Sequence, residues 1–218
     1  MKAKIIILAL LLYAVHAAAQ QPVCTLEPKN VDAFTRVEQP SIYRDRVSLG
    51  KTQSANITIN YKTAIPDSAI TAIEEAVNIW GWLLTSIRPI KIDVYWQNLP
   101  NETFLAAAGP TSYRTNFGGG ALPNYRYPIA LAEKLANQEL NNDSSEIRID
   151  FNSKYAWYYG VDGRTPSKKY DLTTVTLHEI AHGLGFNHSY SYNNGNGFYG
   201  YDFSGGSYIG KKVYDRDF

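Results

Sequence analysis

The chain holds four histidines, and three of them, His178, His182 and His188, fall within residues 176–188, TLHEIAHGLGFNH. The pattern is H-E-x-x-H-x-x-G-x-x-H. On a helix, His178 and His182 stand four residues apart, so both imidazoles project from one face and can grip one metal ion. Glu179 is turned by about 100° from His178, which lets it reach a water on that ion without having to ligate it. Gly185 can enter the left-handed conformation that ends many helices. The chain can then reverse and bring His188 toward the same metal from a new direction.

Three imidazoles and one water make the open tetrahedral site of a catalytic zinc, whereas a closed structural site has four protein ligands, usually including cysteine. Such an ion lowers the pKa of its water toward about 7 and polarises a carbonyl. Glu179 would take the proton from that water and hand it to a leaving amine. The chemistry implied is metal-assisted amide hydrolysis. At average residue usage H-E-x-x-H arises by chance in roughly one chain in 200 of this length, and the added glycine and histidine take that to about one in 100,000. The remaining histidine, His16, lies in a segment expected to be removed, so every histidine of the mature chain belongs to the motif.

These residues resemble the signature of the metzincin zinc peptidases. The resemblance implies His178, His182 and His188 as zinc ligands and Glu179 as general base. It also implies protein or peptide substrates bound in a cleft. The clan carries a methionine turn beneath the zinc, and here the sequence departs, because its single methionine is Met1. The expectation is a catalytic domain whose C-terminal part is short or truncated at Phe218. A closer resemblance, over about Asn56 to Phe186, is to a group of secreted bacterial metalloproteases, some of which have a protease-associated domain. It rests on Ala76 to Gly81, on Trp157 to Gly163 and on the stretch from Asp171 to Phe186. His178, Glu179 and His182 carry over from that group, and His188 rests on its own spacing.

The elements that would position these groups read as an α+β domain: a twisted mixed sheet with a backing helix and an active-site helix. Ala55 to Tyr61 alternates as a strand. Pro66 opens a helix whose apolar positions Ile70, Ile73, Val77, Trp80, Leu84 and Ile87 predict an amphipathic stretch to about Ser86. Pro89 to Trp96 alternates again. Residues 98–127 read as an irregular insertion, and Ile129 to Leu140 as a short helix with Leu131, Leu135 and Leu140 inward. Ser145 to Phe151 alternates, and the metzincin resemblance offers it as a cleft rim to which an extended substrate could add. An ordinary inner strand is the alternative. Asp171 should cap the active-site helix, with Leu177, Ala181 and Leu184 packing inward. Residues 189–218 show no helical period and should form loops under the cleft. Their tyrosines at 190, 192, 199, 201 and 208 are candidates to steady an oxyanion.

Residues 1–19 read as a signal peptide, with a basic start, an apolar run from Ile5 to Val15 and Ala17-Ala18-Ala19 before the cut. That implies a secreted protein, extracellular or periplasmic, with no stable membrane association after cleavage. Residues 20–53 read as an N-terminal arm or short prosegment, and residues 54–218 as the catalytic domain. The charge is nearly balanced, with 21 basic and 20 acidic residues, which gives no electrostatic case for nucleic acid. Cys24 is the only cysteine. It can serve as a bystander, pair with a residue missing from this sequence, or act as a thiolate latch on the zinc. A structural calcium could use Asp150, Asp162 and Asp171. Two further functional readings stay open: a catalytically silent binding or adhesion module, and a zinc amidohydrolase acting on cell-wall peptides.

Overall fold

The alternation at Ile147, Ile149 and Phe151 does form a strand, and the sheet is assembled around it. The computed structural model describes residues 24–25, 41–50, 52–187, 190–193, 196–199, 201–202, 207–208 and 212. Residues 1–19, read from the sequence as a signal peptide, lie outside them. In chain order the elements are β1 (Cys24–Thr25), α1 (Ser41–Ser48), β2 (Ala55–Tyr61), α2 (Asp67–Leu83), β3 (Ser86–Gln97), β4 (Ala106–Pro110), β5 (Tyr113–Arg114), β6 (Tyr127–Pro128), α3 (Ile129–Ala136), β7 (Ile147–Asn152), β8 (Trp157–Tyr158), β9 (Tyr170–Asp171) and α4 (Leu172–Gly183). Four short strands follow, β10 (Tyr190–Asn193), β11 (Asn196–Tyr199), β12 (Tyr201–Asp202) and β13 (Ser207–Tyr208). They pair as two antiparallel hairpins where loops were expected.

The main sheet runs β1-β4-β7-β3-β2. β2, β3 and β7 are parallel, whereas β4 runs antiparallel to β7 and β1 antiparallel to β4. The molecule is therefore α+β with a mixed sheet. β7 lies between β3 and β4, so both of its main-chain edges are taken. The cleft-rim reading of residues 145–151 does not hold, because a strand paired on both sides cannot accept another. On the side of β7 away from β3 lies β4, itself flanked by β1, and its sequence Ala106-Ala107-Ala108-Gly109-Pro110 lacks the alternation that marks strands from sequence.

α2 starts after Pro66, whose fixed φ of −62° suits that place. Its buried face is made by Ala69, Ala72, Ile73, Ala76 and Val77, so alanines, absent from the apolar set read from sequence, carry much of the contact. Ile87 falls instead in β3, where it is exposed. α2 packs on β2 and on α4, and α4 packs on β4 and β7. Ile92, Val94, Ile147, Ile149, Phe151, Leu172 and Ile180 fill the space between them. Full burial of such a side chain is worth roughly 1.5–3 kcal/mol. The small side chains of β4 let α4 approach closely. α3 ends at Ala136, with Asn137 left-handed (φ 53°), and Leu135 is exposed rather than inward. The arm 20–53 is not featureless: it supplies β1 and α1, and α1 packs against α2.

Candidate active site

α4 is fixed at its start by Asp171, whose carboxylate accepts the Thr174 N–H at 2.7 Å and the Thr165 hydroxyl at 2.8 Å. This is the cap expected from sequence. Asp171→Ala is expected to cost about 1 kcal/mol of stability, read from denaturant melts. Two bonds tie the helix laterally to α2: Thr173 Oγ1 donates to the Ala72 carbonyl at 3.1 Å, and Trp80 Nε1 to the Leu177 carbonyl at 3.2 Å.

The helix ends at Gly183, one residue after its second histidine. Gly185 has φ 104°. Phe186 N–H donates to the Ala181 carbonyl and Gly185 N–H to the His182 carbonyl, each at 3.0 Å. This pair of bonds is the Schellman arrangement, which needs a left-handed residue at the position of Gly185. Gly183 has a different role. A Cβ there would sit 2.9 Å from Cγ1 and Cδ1 of Ile147 in the central strand and closer still to its Cγ2. Gly183→Ala is therefore expected to destabilise by about 1–3 kcal/mol through overpacking. That predicts a fall of several degrees in melting temperature.

His178 and His182 come together as the spacing requires. Their rings meet edge to face with centroids 4.5 Å apart, and their Nε2 atoms are 2.9 Å apart. His182 Nδ1 lies 2.8 Å from the Phe186 carbonyl oxygen. A carbonyl only accepts, so Nδ1 carries the proton and Nε2 presents a lone pair toward His178. Burial, and then the neighbouring His182, hold the pKa of His178 below the usual imidazole value, which favours the neutral, ligating form. Two ligands at about 2.0–2.1 Å on a tetrahedral zinc sit about 3.4 Å apart, so a slight opening of the pair would admit the ion.

Glu179 departs from the sequence reading. The fully buried face of α4 is Leu172, Thr173, Val175, Thr176, Glu179, Ile180 and Gly183, whereas Leu177 and Leu184 pack against the core from its edge, half-buried, as Ala181 also is. Glu179 is fully enclosed, and neither carboxylate oxygen has a partner among the described residues. Burial pushes its pKa up to about 8. A cation at the two imidazoles would draw it back toward the range of a neutral-pH general base. An orphaned buried carboxylate beside two converging imidazoles fits a site built for a metal and its water.

His188 lies outside the described residues, as do the side chains of the tyrosines at 190, 192, 199, 201 and 208. Its neighbour Asn187 is held by a group of residues that sequence reasoning did not single out. Asn187 Nδ2 donates to the His182 carbonyl at 3.3 Å. Its Oδ1 accepts from Lys212 Nζ at 2.7 Å and from the Tyr113 hydroxyl at 3.3 Å. Lys212 is buried, and Arg126 stacks on the Tyr113 ring at 4.4 Å. These contacts fix where the chain leaves α4, immediately before the third histidine. Nothing in the local pattern marks Tyr113 or Lys212, which are distant in sequence.

The three aspartates considered for calcium are engaged separately. Asp150 pairs with Arg148, Asp162 accepts from the Tyr158 hydroxyl and the Arg164 N–H, and Asp171 caps α4.

The family model described as SPBPB7E8-like matches residues 123–201. That stretch runs from just before β6 through α3, β7 and the whole of α4, so it contains the histidine motif. No curated protein and no solved structure matches the chain significantly.

Proposed function

We propose that this chain is a secreted zinc-dependent endopeptidase of metzincin type. The observation that carries the reading is the paired His178 and His182 Nε2 atoms, with the His182 tautomer set by the Phe186 carbonyl and the enclosed carboxylate of Glu179 alongside. His178, His182 and His188 would hold the zinc, which when bound supplies the charge that acidifies a water and polarises a scissile carbonyl. Glu179 accepts the proton of the attacking water and then delivers it to the leaving nitrogen as the C–N bond breaks. Its apolar surroundings keep bulk water from competing for that proton. The Phe186 carbonyl orients His182 and raises its basicity. The basic start and apolar run of residues 1–19 support export, and the balanced charge suits protein or peptide substrates more than nucleic acid.

The reading is tested on protein purified from a secreting host, with a quenched-fluorescence peptide library. Cleavage that stops on chelation and returns with zinc is the expected result. Zinc bound at one per chain without cleavage of any peptide would set the peptidase reading aside in favour of a binding module or an amidohydrolase of another substrate class.

A further inference from the structure

At the far end of β7 from the motif helix's N-terminal cap, three carboxylates converge, and among the described residues the one cation paired with any of them is Arg88, on Glu139. Glu133 comes from α3, Glu139 from the segment after it, and Glu146 from the residue before β7. One carboxylate oxygen from each lies within 4.8 Å of the others. Glu133 and Glu146 are 1% exposed. The chain doubles back to bring them together through left-handed Asn137, Asn142 and Asp143 (φ 53°, 59° and 62°).

Of the three positive groups nearby, Arg88 reaches the cluster at Glu139 and the other two are committed elsewhere. Arg88 approaches Glu139 at 3.5 Å, Lys91 is paired with Asp143, and the Arg114 guanidinium is spent on the carbonyls of Leu140 and Tyr113. Among the described residues neither Glu133 nor Glu146 is ion-paired. Glu133 accepts the Leu140 N–H at 3.0 Å. Glu146 accepts the Lys91 N–H at 2.5 Å and Asn141 Nδ2 at 3.2 Å. Burial, and then the charges of Glu146 and Glu139, push Glu133 up to about 7. Burial likewise raises Glu146.

A second feature points to a ligand. Asn141 is 8% exposed, and its carboxamide is held against the Glu146 carboxylate, yet its Oδ1 has no partner. A buried amide oxygen left without a donor costs about 1–3 kcal/mol. Asn141 lies within the cluster, its Nδ2 on Glu146 and its main-chain N–H on Glu139 at 2.9 Å, and carboxylates cannot donate to its oxygen while ionised. A cation satisfies all four groups at once.

We propose that Glu133, Glu139, Glu146 and Asn141 Oδ1 form a calcium site, separate from the histidine motif. The donors are all oxygen, which suits a hard cation and not zinc. Size separates calcium from magnesium. Donors about 2.3–2.6 Å from an ion stand at most about 5 Å apart, whereas those of magnesium, at about 2.0–2.1 Å, stand at most about 4.2 Å apart. The three carboxylate oxygens lie within 4.8 Å of one another, inside the reach of calcium, whose flexible coordination also suits donors from three separate segments better than the near-ideal octahedron that magnesium demands. Bound there, the ion ties α3 and its following loop to the start of β7, the strand against which Gly183 of α4 packs.

The test uses full-length protein purified from a secreting host, dialysed free of calcium and kept saturated with zinc. Calcium chloride is titrated in by calorimetry, and melting temperature is followed with calcium or magnesium. The expected result is one calcium per chain with Kd between micromolar and millimolar, a higher melting temperature in calcium, and a smaller effect of magnesium. Glu139 is exposed, so Glu139→Gln should fold normally, weaken calcium binding by about tenfold or more and leave the calcium-free melting temperature unchanged. Asn141→Leu should also weaken binding. No binding at millimolar calcium would overturn the site, as would binding that persists unchanged in both variants. A third overturning outcome is stabilisation of the calcium-free protein by Glu133→Gln with no calcium response in wild type, which would mean a shared-proton carboxyl pair. Because zinc stays bound throughout, none of these outcomes bears on the peptidase reading.

Discussion

Replacing Glu179 by glutamine is expected to lower kcat for peptide cleavage by about a hundred- to ten-thousandfold, the usual contribution of a general acid–base group. Zinc content and fold should be retained. Many loss-of-function variants also lose stability, and this one should not. Glu179 is completely buried, with both carboxylate oxygens unpartnered among the described residues, so the side chain is a burden on the fold until a metal and a water occupy the site. A neutral amide of nearly the same shape lightens that burden. In metal-stripped protein, the melting temperature of Glu179→Gln should therefore equal or exceed that of wild type. Steady-state kinetics and thermal melts on the same preparations check both halves. Cleavage that survives the substitution would remove Glu179 from the chemistry. Lost cleavage with a collapsed melting temperature would make the residue structural.

His178→Ala and His182→Ala are each expected to weaken zinc binding by roughly a hundredfold or more. Apparent binding energies of about 10–16 kcal/mol are spread over four ligands in well-studied zinc sites, so each ligand carries several kcal/mol. His178 is exposed and His182 half-buried, and neither is part of the core, so the variants should fold. The His182 change removes a further bond, from Nδ1 to the Phe186 carbonyl, which belongs to the turn leading to His188. His182→Ala should therefore loosen that turn as well as the metal, and His178→Ala only the metal. Competition with a zinc chelator measures the first effect, and hydrogen exchange at Gly185 and Phe186 the second. His188→Ala belongs in the same series. If it leaves zinc affinity untouched, another group is the third ligand and the metzincin assignment fails.

The parts of this site that were legible from the residues are those set by short-range geometry. Two histidines four apart must share a helix face. Asp171 offers a carboxylate where the first turn has free N–H groups, and Gly185 is the residue that can turn left-handed. α2 began where Pro66 said it would. The illegible parts depend on what packs from a distance. β4 was hidden because its three consecutive alanines carry no period, although those small side chains are what let α4 lie close. Leu177, Ala181 and Leu184 formed a plausible inward stripe, but α4 meets both α2 and the sheet, and the face that fits that corner places Glu179 inside. The order of strands made β7 an inner strand, a matter of pairing that its own alternation cannot express.

By itself, then, the sequence determined that His178 and His182 share a helix face with Glu179 next in the chain, and the cap and turn that bound their helix, because these are local consequences of helical periodicity and backbone freedom. Only the tertiary structure decided that Glu179 is enclosed, that Asn187 is pinned by Tyr113 and Lys212, and that Glu133, Glu139 and Glu146 converge. Those outcomes need segments far apart in the chain to meet, and burial, which sets the charge state of each carboxylate, is a property of that meeting.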